Sequence, residues 1–130
     1  MVLKEFHKNC FACGKNVANG LNLKFKLLED DTLYGEFKID KSYQGYDNIL
    51  HGGIISTILD CGMINLFYMK NGLELKTVKL KILFRQAIPV GKTIIVKAFV
   101  DKPIRHFYKA KSHILIGNKI FAEAEGYFRK

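Results

Sequence analysis

The chain has 130 residues, of which 48% are hydrophobic, and its 21 Lys and Arg against 12 Asp and Glu give a formal net charge of +9. A chain of this length buries roughly two thirds of its unfolded surface, so one domain spanning residues 1–130 needs no disulfide to hold its core. The 10 Phe and 6 Tyr exclude a disordered chain, because burying such side chains offsets the ordering entropy.

Two features predict where the protein resides. The longest mostly apolar stretch, residues 54–69, is shorter than the roughly 20 residues that cross a bilayer, and it contains polar side chains. The first ten residues carry charges where a signal peptide needs an apolar core. We therefore expect a cytoplasmic protein with reduced cysteines and no membrane contact.

The N-terminal half begins with a predicted hairpin. Apolar and polar residues alternate over residues 21–27, which is the pattern of a strand with one buried face. Three acidic residues at 29–31 mark a turn, and residues 32–39 return as a second strand. An irregular segment, residues 40–50, follows.

A single long helix is predicted next. Apolar residues after His51-Gly52-Gly53 recur at steps of one, three and four, a spacing that only a helix aligns on one side. Asn71 and Gly72 end the pattern, and Gly is the usual residue beyond a helix C-terminus.

Four strands are predicted after the helix, separated by segments that contain Gly or Pro. They span residues 76–86, 92–101, 105–116 and 118–128. Lys102-Pro103 separates the second from the third. In the last strand Ala122, Ala124 and Gly126 share one face, which we expect beneath the helix. The predicted fold is therefore α+β, with a long antiparallel sheet wrapped around the helix, because no second layer can cover it.

The start and the middle of this helix carry chemical groups. Gly52 and Gly53 leave backbone N–H groups bare at the positive end of the helix dipole, which suits an oxyanion. Asp60 lies in the apolar run, where an unpaired carboxylate costs several kcal/mol. Each feature alone has a structural explanation, namely a flexible helix entry or an ion-paired Asp. Together, within ten residues, they favour a site.

The spacing of these groups predicts a dimer. Gly52 and Asp60 are eight residues apart, or about 12 Å along a helix with a rise of ~1.5 Å per residue. One carbonyl group cannot touch both. The two groups therefore come from different subunits if they act on one substrate, with two helices running antiparallel across a twofold axis.

Several segments of the sequence resemble a known family. The segments HGGIISTILD, FRQAIPVGK and AEAEGYF resemble the hotdog-fold acyl-CoA thioesterases of the PaaI-like group, over nearly the whole chain. CFACG near the N-terminus and YQGY before the helix resemble one subgroup of that family. The resemblance implies a homodimer, or a homotetramer made of two dimers, whose substrate is an acyl-CoA thioester.

Roles follow from the resemblance, position by position. It implies that the Gly52 N–H, helped by Gly53, polarises the thioester carbonyl. Asp60 of the other subunit attacks that carbonyl or activates the attacking water, and His51 orients the site. Thr77 positions the water.

Other positions match the family less closely. Many relatives carry Asn where this chain has Gly45, so we expect Gln44 to substitute for that amide. Gly45, Asn48 and Arg85 are the candidate substrate-binding residues. Cys61 stands where many members of the subgroup have Glu.

The orientation of Thr77 conflicts with the strand pattern. A regular strand whose apolar face includes Val78, Leu80, Ile82 and Phe84 points Thr77 to the opposite face. We therefore expect Thr77 to reach the site only if this strand begins irregularly.

A Cys-x2-Cys pair near the N-terminus has two interpretations. His7, Cys10 and Cys13 are three possible metal ligands, one fewer than a closed zinc site requires. Cys61 is interpreted as a small buried hydrophobic residue. We expect a local turn here, with no metal and no cofactor.

The positive charge is spread along the predicted strands, where Lys alternates with apolar residues. No recognition helix, zinc finger or RNA-binding signature accompanies it, so we expect no nucleic-acid partner. Attraction to anionic ligands, including the phosphates of coenzyme A, fits the charge better.

The alternative to a thioesterase is a hotdog protein that binds acyl-CoA without cleaving it. A hydratase on the same fold ranks lower, and nucleic-acid binding ranks last.

Overall fold

A computed structural model describes residues 6–130 of the chain. Residues 1–5, on which the signal-peptide prediction partly depends, lie outside the described residues. The elements in chain order are β1 (Lys26–Leu27), β2 (Leu33–Lys38), a short 3-10 helix (Lys41–Tyr43), α1 (Gly52–Asn71), β3 (Lys76–Phe84), β4 (Thr93–Ile104), β5 (Phe107–Ile116) and β6 (Lys119–Arg129).

The strands form one sheet in the order β1-β2-β4-β5-β6-β3, and every neighbouring pair is antiparallel. Helix α1 packs against β3, β4, β5 and β6 on one face of this sheet. The predicted α+β architecture is therefore confirmed. Because β3 pairs only with β6, it is an edge strand of the described sheet.

Helix α1 begins and ends where the sequence predicts. His51 caps its N-terminus, and Gly72 ends it in the left-handed conformation with φ of 68°, where its N–H donates to the carbonyl of Tyr68. By length and composition α1 is apolar enough to cross a membrane, but half of that segment is buried within the fold. Its fully buried side chains include Ile58, Leu59, Met63 and Leu66, which is the position of a core helix.

The last strand provides the surface on which α1 lies. Ala122, Ala124 and Gly126 are buried, as predicted. A Cβ atom added to Gly126 would lie 2.9 Å from the sulfur of Met63, closer than atoms pack in real proteins. Small side chains on β6 therefore allow the helix to approach the sheet closely.

The predicted first strand is wrong in extent. Only Lys26–Leu27 pair with β2. The alternation of burial over residues 21–27 is present, but the N–H groups of Leu21 and Leu23 donate to the carbonyls of Phe11 and Ala12 at 2.7 and 2.9 Å. The segment thus pairs locally with the N-terminal residues instead of extending the sheet.

The predicted break at Lys102-Pro103 is also wrong. Strand β4 continues to Ile104, and the turn to β5 lies at residues 105–106, with Arg105 in the left-handed conformation. The register shifts between Asp101 and Ile104. This irregular pairing accommodates Pro103, because proline is tolerated where a strand does not need its N–H.

Candidate functional site

The first two backbone N–H groups of α1 differ in whether they have a hydrogen-bond acceptor. The Gly53 N–H donates to Nδ1 of His51 at 2.8 Å. Because Nδ1 accepts this bond, a neutral His51 carries its ring proton on Nε2. The Gly52 N–H, at the first helical position, has no acceptor within residues 6–130. Of the two predicted oxyanion donors, Gly52 is therefore the one available to a ligand.

The loop before the helix is folded by two residues that the sequence assigns to the site. Oε1 of Gln44 accepts the N–H of Asn48 at 2.9 Å, and Asn48 adopts a left-handed φ of 65°. Gly45 lies against His51, because a Cβ atom there would be 3.2 Å from the Cα of His51. Gln44 and Asn48 thus shape the loop, and Gly45 allows it to approach the helix start.

A hollow of about 410 Å³ opens in front of the helix, lined by Gly45, Tyr46, Leu50, His51 and Gly52. The ring of Phe84, at the end of β3, is 3.7 Å from the position of a Cβ atom on Gly52. Both aromatic side chains are exposed, Tyr46 at 85% and Phe84 at 51%. The approach to the Gly52 N–H is therefore bordered by apolar rings. Phe84 is not among the predicted site residues, because its position depends on how β3 lies along α1.

The carboxylate in the middle of α1 has a partner in its own chain. The hydroxyl of Thr77 donates to Oδ1 of Asp60 at 2.7 Å, whereas Oδ2 has no hydrogen-bond partner in the described part of the chain. Burial raises the pKa of the Asp60 carboxyl, and the Thr77 hydrogen bond and the nearby charge of His7 oppose that rise. One oxygen is therefore held in place while the other is free to take a proton.

A β-bulge brings Thr77 to Asp60. Thr77 pairs with Phe128 and Lys79 pairs with Tyr127, so Val78 is the extra residue on β3. The strand begins irregularly, which is the condition on which the expected role of Thr77 depends. The apolar face predicted for this strand is exposed at two of its four residues, since Val78 is 46% and Phe84 is 51% exposed.

Arg85, a predicted substrate-binding residue, has an acidic partner. Its Nε donates to Oε2 of Glu123 at 2.6 Å. This hydrogen bond raises the pKa of Arg85 and lowers that of Glu123. An anionic ligand at Arg85 therefore competes with an existing ion pair.

The cysteines lie close together beside α1. Cys10 and Cys13 occupy the predicted turn, and His7 Nδ1 is 3.7 Å from the sulfur of Cys13. Cys61 is buried, as expected, and its thiol interacts with that of Cys13. This interaction lowers the pKa of Cys13 to about 5 and, together with burial, raises the pKa of Cys61. This interaction is not predicted from the sequence, in which its only signal is a third cysteine.

The predicted site residues therefore form two groups within one chain. The first surrounds Gly52 and includes His51 and Gly45. The second is the hydrogen-bonded pair of Asp60 and Thr77. Eight residues of helix separate the two groups, a distance of about 12 Å.

Solved structures of thioesterase superfamily proteins share this arrangement of helix and sheet. A thioesterase superfamily protein has a TM-score of 0.86 at 17% identity, over 95% of this chain, which spans 61% of that structure. The chain has the hotdog fold. A putative thioesterase from Ralstonia eutropha JMP134, related to phenylacetic acid degradation, shares this hotdog fold with a TM-score of 0.76 at 15% identity, over 98% of both chains.

Zebrafish thioesterase superfamily member 2 has the same hotdog fold, with a TM-score of 0.76 at 18% identity, over 98% of this chain and 97% of the other. The sequence itself matches no family model and no curated protein. The likeness to thioesterases is therefore one of fold.

Proposed function

We propose that this hotdog protein is an acyl-CoA thioesterase that acts as a homodimer and hydrolyses the thioester to a carboxylic acid and coenzyme A. The observation that carries the proposal is the Asp60 carboxylate, which the Thr77 hydroxyl holds at 2.7 Å in a mostly apolar helix. Keeping a carboxylate in such a place has a cost in stability, and the cost is explained if Asp60 takes part in a reaction.

Edge strand β3 supports the dimer. Three exposed apolar side chains, Val78, Leu83 and Phe84, lie on this unpaired edge, which is the kind of edge that recruits another strand. Thr77 lies beside Asp60 at one end of β3, and Phe84 lies beside Gly52 at the other.

Antiparallel pairing of two β3 strands around an axis between Leu80 and Lys81 places Thr77 opposite Phe84 of the second copy. Asp60 of one protomer then faces the Gly52 N–H of the other. We propose this dimer as the active form and, where a tetramer forms, as the unit of which it is made.

The two groups supply complementary parts of one hydrolysis. Oδ2 of Asp60 removes a proton from water, and the water oxygen forms a bond to the carbonyl carbon. The carbonyl oxygen becomes negative and accepts the Gly52 N–H, at the positive end of the α1 dipole. Collapse of this intermediate breaks the carbon–sulfur bond, and the departing thiolate of coenzyme A recovers the proton from Asp60. Direct attack by the carboxylate, the other route open from the sequence, needs the same two groups in the same places.

The surroundings suit an acyl-CoA. Tyr46 and Phe84 offer apolar contact to the acyl group near the Gly52 N–H. The net charge of +9 attracts the phosphates of coenzyme A. Three free cysteines accord with a location in the reducing cytoplasm.

The test is a panel of acyl-CoA esters assayed for free coenzyme A, with D60N as the variant and D31N as its control. Asp31 lies in an exposed turn with a φ of 67°, which Asn adopts readily. We expect D60N to lower kcat by about 10²–10⁴-fold and to retain ester binding, because it removes only the proton acceptor. D31N should have wild-type turnover.

The alternative, binding without hydrolysis, gives a different result in the same assay. Its support is Gly45 and Cys61, which carry no amide or carboxylate where many relatives do. Thermal stabilisation of the wild-type protein by esters, with no coenzyme A released from any of them, would replace the thioesterase proposal with this one.

A further inference from the structure

Metal-ligand atoms converge where the N-terminal segment meets α1. The side-chain nitrogen or sulfur atoms of His7, Cys10 and Cys13 all lie within 4.8 Å of one another. Zinc bonds of about 2.3 Å to sulfur and about 2.0 Å to nitrogen place tetrahedral ligand atoms roughly 3.5–3.8 Å apart. The 3.7 Å between His7 Nδ1 and the sulfur of Cys13 is already such a separation.

A candidate for the fourth ligand lies on the helix. Cys61 on α1 is 6% exposed. Asn65, whose side-chain amide donates to the Cys61 sulfur at 3.3 Å, lines the same hollow as Cys13. We propose that His7, Cys10, Cys13 and Cys61 bind one Zn²⁺ ion in a closed tetrahedral site. This proposal is an alternative to the expected turn without metal.

The backbone around the two N-terminal cysteines is shaped for such a site. The N–H of Cys10 donates to the carbonyl of His7 at 2.9 Å, and the N–H of Gly14 donates to the carbonyl of Cys10 at 2.7 Å. A Cβ atom on Gly14 would lie 2.5 Å from the Lys8 carbonyl oxygen, so only glycine fits this turn. The tight turn brings the ligands of a Cys-x2-Cys pair together without help from the metal.

The imidazole is held in place by aromatic stacking. The His7 ring stacks on Phe6 with centroids 3.9 Å apart, and Phe6 stacks on Tyr68 of α1 at 3.8 Å. On the helix, the side-chain amide of Asn65 donates to the Cys61 sulfur at 3.3 Å. Ligands from both elements therefore have supporting contacts, as the outer shell of a metal site requires.

The donor set selects the metal. Three sulfurs and one imidazole nitrogen suit Zn²⁺ better than Mg²⁺ or Ca²⁺, which prefer oxygen. A disulfide would use two of the three cysteines and give His7 no part. Four protein ligands leave no position for substrate, so the ion is structural and ties the N-terminal segment to the helix residue that follows Asp60. None of the proposed hydrolytic groups is a ligand of this ion, and neither proposal depends on the other.

The test is a titration of the reduced, metal-free full-length protein with Co²⁺, followed by displacement with Zn²⁺. We expect one equivalent of Co²⁺ to bind, with the absorption of a tetrahedral complex and a charge-transfer intensity that corresponds to three thiolates. No binding in the presence of a weak competing chelator would overturn the site. An intensity corresponding to two thiolates would overturn the assignment of Cys61.

Single substitutions test the role of each proposed ligand. C61A and C10S should each lose one thiolate from the spectrum and bind Co²⁺ at least about tenfold more weakly. H7Q should weaken binding similarly, whereas H106Q, in the exposed turn between β4 and β5, should not. Equal affinity in H7Q and H106Q would overturn the role of His7. If a variant does not fold, the thiolate count of the wild-type complex decides the result.

Discussion

The front and the middle of α1 contribute to the proposed site in opposite ways. At the front, the useful group is a backbone N–H that every helix leaves without a partner, so Gly52 provides it at no cost in stability. In the middle, the useful group is a carboxylate whose partial burial raises its pKa, and a hydroxyl from β3 is needed to hold it. The helix thus offers one group by its geometry alone, and the other only with the help of the sheet.

The front of the helix allows the N–H to be removed with little else changed. Proline is favoured at the first helical position, and His51 before it has the extended conformation that a following proline requires, with φ of −62° and ψ of 135°. We expect G52P to fold and to lower kcat by about 10²–10³-fold, the effect of deleting one oxyanion donor. G52A retains the N–H, and its Cβ atom makes only ordinary contact with Phe84 at 3.7 Å. Equal rates in G52P and G52A would exclude the N–H from the reaction.

In the middle of the helix, the hydrogen bond from Thr77 to Asp60 should control how the reaction rate depends on pH. The Thr77 hydrogen bond lowers the pKa of Asp60, so T77V should raise it. Because the base acts only when ionised, the acidic limb of the rate–pH profile should move to higher pH, and kcat should fall by about tenfold. T77S retains a hydroxyl and should restore the wild-type limb. An unchanged profile in T77V would show that this bond does not position the base.

The same carboxylate should lower the stability of the folded protein. Burial raises the pKa of Asp60 in the folded state, so its protonated form favours folding, and this contribution is lost as the pH rises through the folded-state pKa. At neutral pH we therefore expect the Tm of D60N to equal or exceed that of the wild type and D31N. A lower Tm in D60N alone would indicate that the carboxylate is a structural element.

These two regions also differ in how far the sequence predicts them. The bounds of α1 follow from Gly-Gly at its start and Asn-Gly at its end, because helix termini are set by local backbone preferences. The orientation of Thr77 does not, since the bulge at Val78 is set by the pairing of β3 with β6. The interaction between Cys13 and Cys61 cannot be predicted from the sequence either, because it forms only when the N-terminal segment packs on the helix.

The strands illustrate the same division. Alternation of apolar and polar residues correctly predicts which side chains of residues 21–27 are buried. It does not predict what the segment pairs with, because successive side chains alternate in burial whether the segment pairs with β2 or with the N-terminal residues. Likewise Pro103 suggests a break, and only the irregular pairing at the end of β4 allows the strand to continue.

Mixing the two inactive variants tests most directly whether one site combines groups from two subunits. In a mixed dimer of D60N and G52P, one site has both an intact Gly52 N–H and an intact Asp60, and the other site lacks both. Random exchange of subunits should therefore restore about a quarter of the wild-type turnover, because half of the dimers are mixed and each has one working site. If the mixture stays as inactive as its components although mass spectrometry detects mixed dimers, the N-terminus of α1 and Asp60 do not act together across the dimer interface.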